Sequence, residues 1–110
     1  MIEKKIFLIS FVYFPEKKQL MYKAIQLIDL LKMNDEKAIR NFYNENKNGF
    51  ILFAKRYNIH SDDIIDIYQD AIIALIENAK KGKIDDLKSS VTTYLYEIGK
   101  FMIFQKLKKE

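Results

Sequence analysis

Residues 62–77 read DDIIDIYQDAIIALIE, the most regular helical pattern in the chain. Side chains four residues apart lie on the same side of an α-helix, so Asp62, Asp66 and Asp70 form one line, here named the acidic row. The opposite side is apolar, and no Lys or Arg occurs within the stretch. The pattern therefore predicts a helix with one acidic face and one core face. The predicted core positions are Ile64, Tyr68, Ala71, Ile72, Leu75 and Ala79.

The composition around this helix favours a single compact all-α domain. The chain has 110 residues, of which 49% are hydrophobic, and this suits one domain with one core. Three glycines and one proline allow few tight turns, and alternating apolar and polar runs bounded by turn signals are nearly absent. These features argue against a β-rich fold and predict three or four packed helices.

Two helices are predicted before the acidic row. Apolar residues follow the helical spacing from Glu16 to about Lys32. Asn34 is followed by two acids and is typical of an N-cap for a second helix, which the Asn-Gly pair at 48–49 is expected to break or bend. The earlier run at residues 6–14 is rich in β-branched and aromatic residues, so a short strand and a packed extended arm are both open for it.

Serine caps predict the starts of the last two helices. Ser61 is expected to cap the acidic helix, and Gly82 to end it. Ser89 and Ser90 can cap a final helix that runs to about Lys109. Steps of about 100° per residue divide this helix into a core stripe and an outer side. The predicted core stripe is Val91, Leu95, Ile98 and Met102, and the predicted outer side is Thr93, Tyr96, Lys100, Phe104 and Lys108.

The residues that commonly carry metal or nucleophilic chemistry are scarce. The chain has no cysteine and one histidine, His60, which is expected to lie in a loop or to cap a helix. Asp66 and Asp70 could share a divalent cation, but no Glu-x-x-His pair accompanies them, so a solvated helix face is the commoner explanation. No triad-like arrangement and no glycine-rich phosphate loop occurs. The sequence therefore predicts no enzymatic activity, no metal and no cofactor.

The apolar run at residues 6–14 is too short to cross a bilayer, which takes roughly twenty residues. Two lysines precede it, as in a signal peptide, but charged residues follow soon after it and no small-residue cleavage site is present. The lack of cysteine is compatible with a reducing compartment. A cytoplasmic chain without a membrane partner is therefore expected.

The net charge of +4 is unevenly distributed. Residues 1–34 and 87–110 each carry +3, whereas residues 35–86 carry −2. The last segment also interleaves rings with lysines, and single-stranded nucleic acid is held by cations on its backbone and by rings on its bases. The alternative, that these rings belong to the core or pack on the N-terminal arm, stays equally open. The residues concerned are Tyr96, Phe101, Phe104, Lys100, Lys106, Lys108 and Lys109.

Three stretches of the sequence fit one protein family. They are LLKMNDEKA at residues 30–38, DDIIDIYQDA at 62–71 and TYLYEIGK at 93–100. They resemble parts of the second conserved region of bacterial RNA polymerase sigma factors, specifically of the small extracytoplasmic-function type. The first stretch resembles the opening turn of that region and the second its D-x-x-Q-[DE] signature. The third resembles the W-L-Y-x-I-A-x pattern of its promoter-reading helix.

The resemblance implies partners and assigns residues to them. The acidic signature would contact the basic clamp-helix coiled coil in the largest subunit of core RNA polymerase. The last helix would contact the non-template strand of the promoter minus-ten element, and an inhibitory anti-sigma protein is a third implied partner. The implied polymerase-binding residues are Asp63, Asp66, Gln69, Asp70 and Ile73. The implied DNA-binding residues are Lys88, Thr92, Thr93, Tyr96, Lys100, Phe104 and Lys108.

The resemblance is limited in extent and in detail. It supports a region-2-like helical domain at residues 30–110 and leaves residues 1–29 as an N-terminal extension, with a short arm and an amphipathic helix. Phe101 stands where the family commonly has Asn, and Gln105 and Lys108 stand where Asp and Arg are usual. Lysine does not reproduce the bidentate grip of arginine on phosphate. The resemblance thus predicts promoter recognition and melting, with a diverged helical interaction module, a regulator or decoy without promoter activity, as the alternative.

Overall fold

The computed structural model describes residues 15–109, with side chains from residue 21 onward. Four α-helices occupy most of this range, and no strand occurs within it. The all-α prediction is confirmed, whereas the predicted strand or arm at residues 6–14 lies outside the described range. The helices are α1 (Pro15–Lys32), α2 (Glu36–Lys55), α3 (Ser61–Lys80) and α4 (Val91–Lys109).

The junction between α1 and α2 corrects the predicted cap. Asn34 has a φ of +55° and ends α1. Its N–H donates to the Leu31 carbonyl at 3.2 Å, and the Asp35 N–H donates to the Leu30 carbonyl at 3.0 Å, which is a Schellman closure. The N-cap of α2 is Asp35, whose Oδ1 accepts the Ala38 N–H at 2.9 Å. Asparagine suits both a cap and a left-handed closure, so the sequence pattern placed the cap one residue too early.

The caps of the last two helices agree with prediction in all but one position. α3 begins at Ser61 itself, and its N-cap is His60, whose Nδ1 accepts the N–H two residues later at 3.3 Å. The capping role expected of His60 is therefore confirmed, and the cap predicted at Ser61 is wrong. Gly82 follows the end of α3 with a φ of +75°. The Ser90 Oγ accepts the N–H three residues later at 3.0 Å and so caps α4.

The Asn-Gly pair at 48–49 does not interrupt α2, which is a single helix from Glu36 to Lys55. Gly49 instead allows α4 to approach. A Cβ at this position would lie 2.6 Å from the Tyr96 hydroxyl oxygen. On the other side of the contact, a Cβ at Gly99 would collide with Cε2 of Phe50. The two glycines thus permit a close α2–α4 contact.

α3 lies at the centre of the bundle and packs on the other three helices. All six of its predicted core positions are buried, so the core face read from the sequence is confirmed. The Asp63 carboxylate lies 3.6 Å from the Lys106 Nζ. At the opposite ends of these two helices, the Asn78 amide donates to the Tyr94 hydroxyl at 3.0 Å. The two contacts show that α3 and α4 run antiparallel, as expected.

The core stripe of α4 is rotated from the predicted one. Val91 and Leu95 are buried as predicted, but the stripe continues through Gly99 and Ile103. The predicted members Ile98 and Met102 are only partly buried at its edge. The physical reason is that the Phe50 ring of α2 packs where Gly99 has no side chain, which turns α4 towards α2.

α1 contributes to the same core. Ile28 and Leu31 are both buried, and α1 packs on α3 and α2. The division drawn from the resemblance between residues 29 and 30 therefore lies inside one continuous helix. Within residues 15–109, none of the helices combines the length and the apolar character that crossing a membrane requires.

Candidate polymerase and nucleic-acid interfaces

The acidic row lies on the solvent side of α3. Asp62, Asp66 and Asp70 are all exposed, opposite the buried stripe of the same helix. Gln69 is exposed beside them, and Ile73 leaves 54% of its surface exposed on the same side. Ile73 is thus an exposed apolar side chain beside polar and acidic groups.

Asp63 belongs to a different part of the surface. It lies about 100° from the neighbouring acidic residue Asp62 around α3, towards α4. Its carboxylate is half-exposed and forms an ion pair with Lys106, at the far end of α4. Asp63 therefore joins the two helices, while Asp66, Gln69, Asp70 and Ile73 remain together on the outer face.

Two of the predicted DNA-binding residues face α2. The Thr92 hydroxyl donates to the Asn46 Oδ1 at 3.1 Å. The Tyr96 ring is half-buried, with its centroid 5.7 Å from that of Phe50 and 5.0 Å from that of Phe53. The prediction that Tyr96 lies on the exposed outer side is wrong, because Gly49 has no side chain and leaves room for the hydroxyl end of Tyr96 against α2. The Tyr96 ring is partly buried and packs against the core, which is closer to the alternative expectation.

The outer side of α4 carries the other aromatic and cationic groups. Phe101 is 63% exposed and Phe104 is 42% exposed. The Lys100 Nζ lies 5.7 Å from the centroid of the Phe104 ring, so a cation and an accessible ring are adjacent. Thr93 and Lys108 are exposed on the same side, and Lys88 is exposed in the loop before α4. Cations beside aromatic faces can hold unstacked bases and their phosphates.

Tyr57 belongs to this surface and was missed from the sequence. Its ring meets the Phe104 ring edge to face, with centroids 5.5 Å apart and planes at 80°. The contact fixes one side of Phe104 and leaves part of the ring accessible. The signal was present in the helical spacing, because Tyr57 follows Phe50 and Phe53 by seven and four residues and so continues their row.

Within the part of the chain that the structure describes, no three side chains of the kinds that bind metals come together. Asp66 and Asp70 are exposed neighbours on one helix, and no third potential ligand joins them.

Comparisons with models of protein families, with curated proteins and with solved structures find no match to this chain.

Proposed function

We propose that this chain is a transcription initiation factor domain of the sigma-factor type, which binds core RNA polymerase and recognises and melts the promoter minus-ten element. The observation that carries the proposal is the exposure of Asp66, Gln69 and Asp70, the residues of the D-x-x-Q-D signature, on one face of α3. The domain would act in the cytoplasm, without a catalytic step or a cofactor of its own.

The acidic face of α3 suits a basic helical partner. The clamp-helix coiled coil of the polymerase's largest subunit would meet the carboxylates of the acidic row, and Ile73 would be covered at the centre of the contact. An anti-sigma protein that covered the same side chains would block this contact, and this is how an inhibitor would act.

The outer side of α4 suits the non-template strand. Extruding a base costs a few kcal/mol, which stacking on an aromatic ring and contacts to phosphates must offset. Phe104 supplies an accessible ring and Lys100 a cation beside it. Thr93 and Lys108 are exposed on the same side, and Lys88 is exposed in the loop before α4. These three residues would complete the proposed contact, with Tyr96 and Thr92 supporting it from the α2 side.

Charge reversal on α3 tests the polymerase contact. We expect Asp66→Lys with Asp70→Lys to abolish co-purification with bacterial core RNA polymerase. Removing one partner of a buried charge pair costs about 2–5 kcal/mol of binding free energy, and reversing the charge adds repulsion. The matched control is Asp29→Lys with Glu45→Lys, which makes the same charge change at exposed positions of α1 and α2. Undiminished association of the α3 variant, with helicity unchanged in both, would refute the contact.

A second candidate is a helical interaction module that binds polymerase, or a sigma factor's inhibitor, without reading DNA. The specific observation in its favour is that Thr92 and Tyr96, both implied to bind DNA, are engaged by Asn46, Phe50 and Phe53 inside the fold. The two candidates differ in one property, the binding of single-stranded minus-ten DNA.

A further inference from the structure

The solvent side of α2 carries a set of cations and amides that the sigma-factor resemblance does not assign. Steps of about 100° per residue place these side chains within an arc of about 100° around the helix. All of them are exposed. We name this set the α2 basic face, and its members are Lys37, Arg40, Asn41, Asn44, Asn48 and Lys55.

The α2 basic face contains no carboxylate. The two glutamates of α2, Glu36 and Glu45, each lie about 40° outside its arc. None of its three cations, Lys37, Arg40 and Lys55, forms an ion pair with a residue of the described range. Their charges are therefore available to an external anion.

The α2 basic face is also separate from the outer side of α4. α2 meets α4 through Asn46, Gly49 and Phe53. These positions lie roughly opposite the middle of the basic face around the helix. A ligand on the basic face would therefore occupy a different side of the molecule from the Phe104 ring.

The chemistry of this surface fits the phosphates of duplex nucleic acid. Lys, Arg and Asn side chains are common phosphate donors, and these contacts carry no sequence information. The face has no aromatic ring on which an unstacked base could lie. From residue 37 to residue 55 it is about 27 Å long, which matches roughly eight phosphates of one strand along a B-form axis.

We infer that the α2 basic face binds the phosphate backbone of double-stranded DNA independently of sequence. This inference goes beyond the proposed function, because it requires neither polymerase nor a minus-ten element. The face would hold duplex DNA while α4 acts on an opened strand.

A salt titration tests the inference. The probe is a fluorescent DNA duplex without a minus-ten-like sequence, and its binding to the whole chain is measured by anisotropy over a series of salt concentrations. For the variant Lys37→Gln with Arg40→Gln and Lys55→Gln, we expect the slope of log Kobs against log salt to fall in magnitude by about 2.7, or about 0.9 per lost cation.

The matched control removes the same charge elsewhere. Lys80→Gln with Lys81→Gln and Lys83→Gln changes three exposed cations at the end of α3, and we expect its slope to stay near that of the unmodified chain. Equal slopes in the two variants, or no duplex binding by the unmodified chain, would overturn the inference. Single-stranded minus-ten DNA is titrated in parallel, because a failure of the proposed function would appear there and not in the duplex slopes.

Discussion

Tyr68 shows how a single polar group is accommodated in this core. Its side chain is fully buried, and its hydroxyl donates to the Tyr43 carbonyl at 2.7 Å. Burial raises the pKa of the hydroxyl well above its ordinary value of 10.0, and the neighbouring Tyr43 and Tyr96 raise it further. The neutral hydroxyl is therefore the form that the fold requires. Periodicity predicted the burial of Tyr68, but its partner, 25 residues earlier in the chain, has no local signal in the sequence.

The buried hydroxyl predicts a loss of stability at alkaline pH. An unfolded tyrosine ionises near pH 10, whereas folded Tyr68 stays neutral, so its contribution is complete below pH 10 and falls above it. The fall is at most about 1.4 kcal/mol per pH unit. We expect Tyr68→Phe to cost about 0.5–1.5 kcal/mol at neutral pH and to show a shallower alkaline decline in urea unfolding. Parallel declines in the two proteins would mean that another group is responsible.

At the scale of helices, the α2–α4 contact explains where sequence patterns succeed and fail. The apolar spacing of α3 is regular, so six of its seven buried residues could be read directly, and only Ile67 was not predicted. The stripe of α4 passes through Gly99, which hydrophobic spacing cannot score as a core position. Gly49 likewise has the sequence signature of a break, yet its role depends on a ring from another helix. Contacts between helices decide such positions, and these contacts are invisible in a local window.

The two glycines provide a matched pair of substitutions. We expect Gly99→Ala to destabilise the domain by about 1–2 kcal/mol, because the clash with the buried Phe50 ring outweighs a helix-propensity gain of about 1 kcal/mol. Gly49→Ala meets only the hydroxyl end of the half-buried Tyr96 side chain, which can shift, so its cost should be smaller. Urea unfolding of both variants measures the difference. Stabilisation by Gly99→Ala would show that α2 and α4 are not in this close contact.

At the scale of the whole molecule, the fold separates the proposed polymerase and DNA surfaces. The sequence placed the acidic row correctly because its spacing and its lack of cations are local features. It could not show that Tyr96 packs on Phe53 or that Tyr57 meets Phe104, since both contacts join segments that are far apart in the sequence. The outer face of α3 and the outer side of α4 belong to different helices, joined at their ends by the Asp63–Lys106 ion pair. Two binding activities on separate helices should be separable by substitution.

Because the two surfaces are separate, substitutions on either one should weaken only the binding activity of that surface. The same substitutions distinguish the two candidate functions. Phe104→Ala should weaken binding of single-stranded minus-ten DNA by about 1–3 kcal/mol, roughly 5- to 150-fold, because a stacking ring is lost. For the same single-stranded DNA, Lys100→Gln should reduce the magnitude of the slope of log Kobs against log salt by about 0.7, because one phosphate contact is lost. Both α4 variants should still co-purify with polymerase. Gln69→Ala with Ile73→Ala changes no charge. This variant should lose co-purification with polymerase and keep its affinity for single-stranded minus-ten DNA. DNA affinity that is unchanged by Phe104→Ala, or absent at low salt, would favour the module without promoter activity.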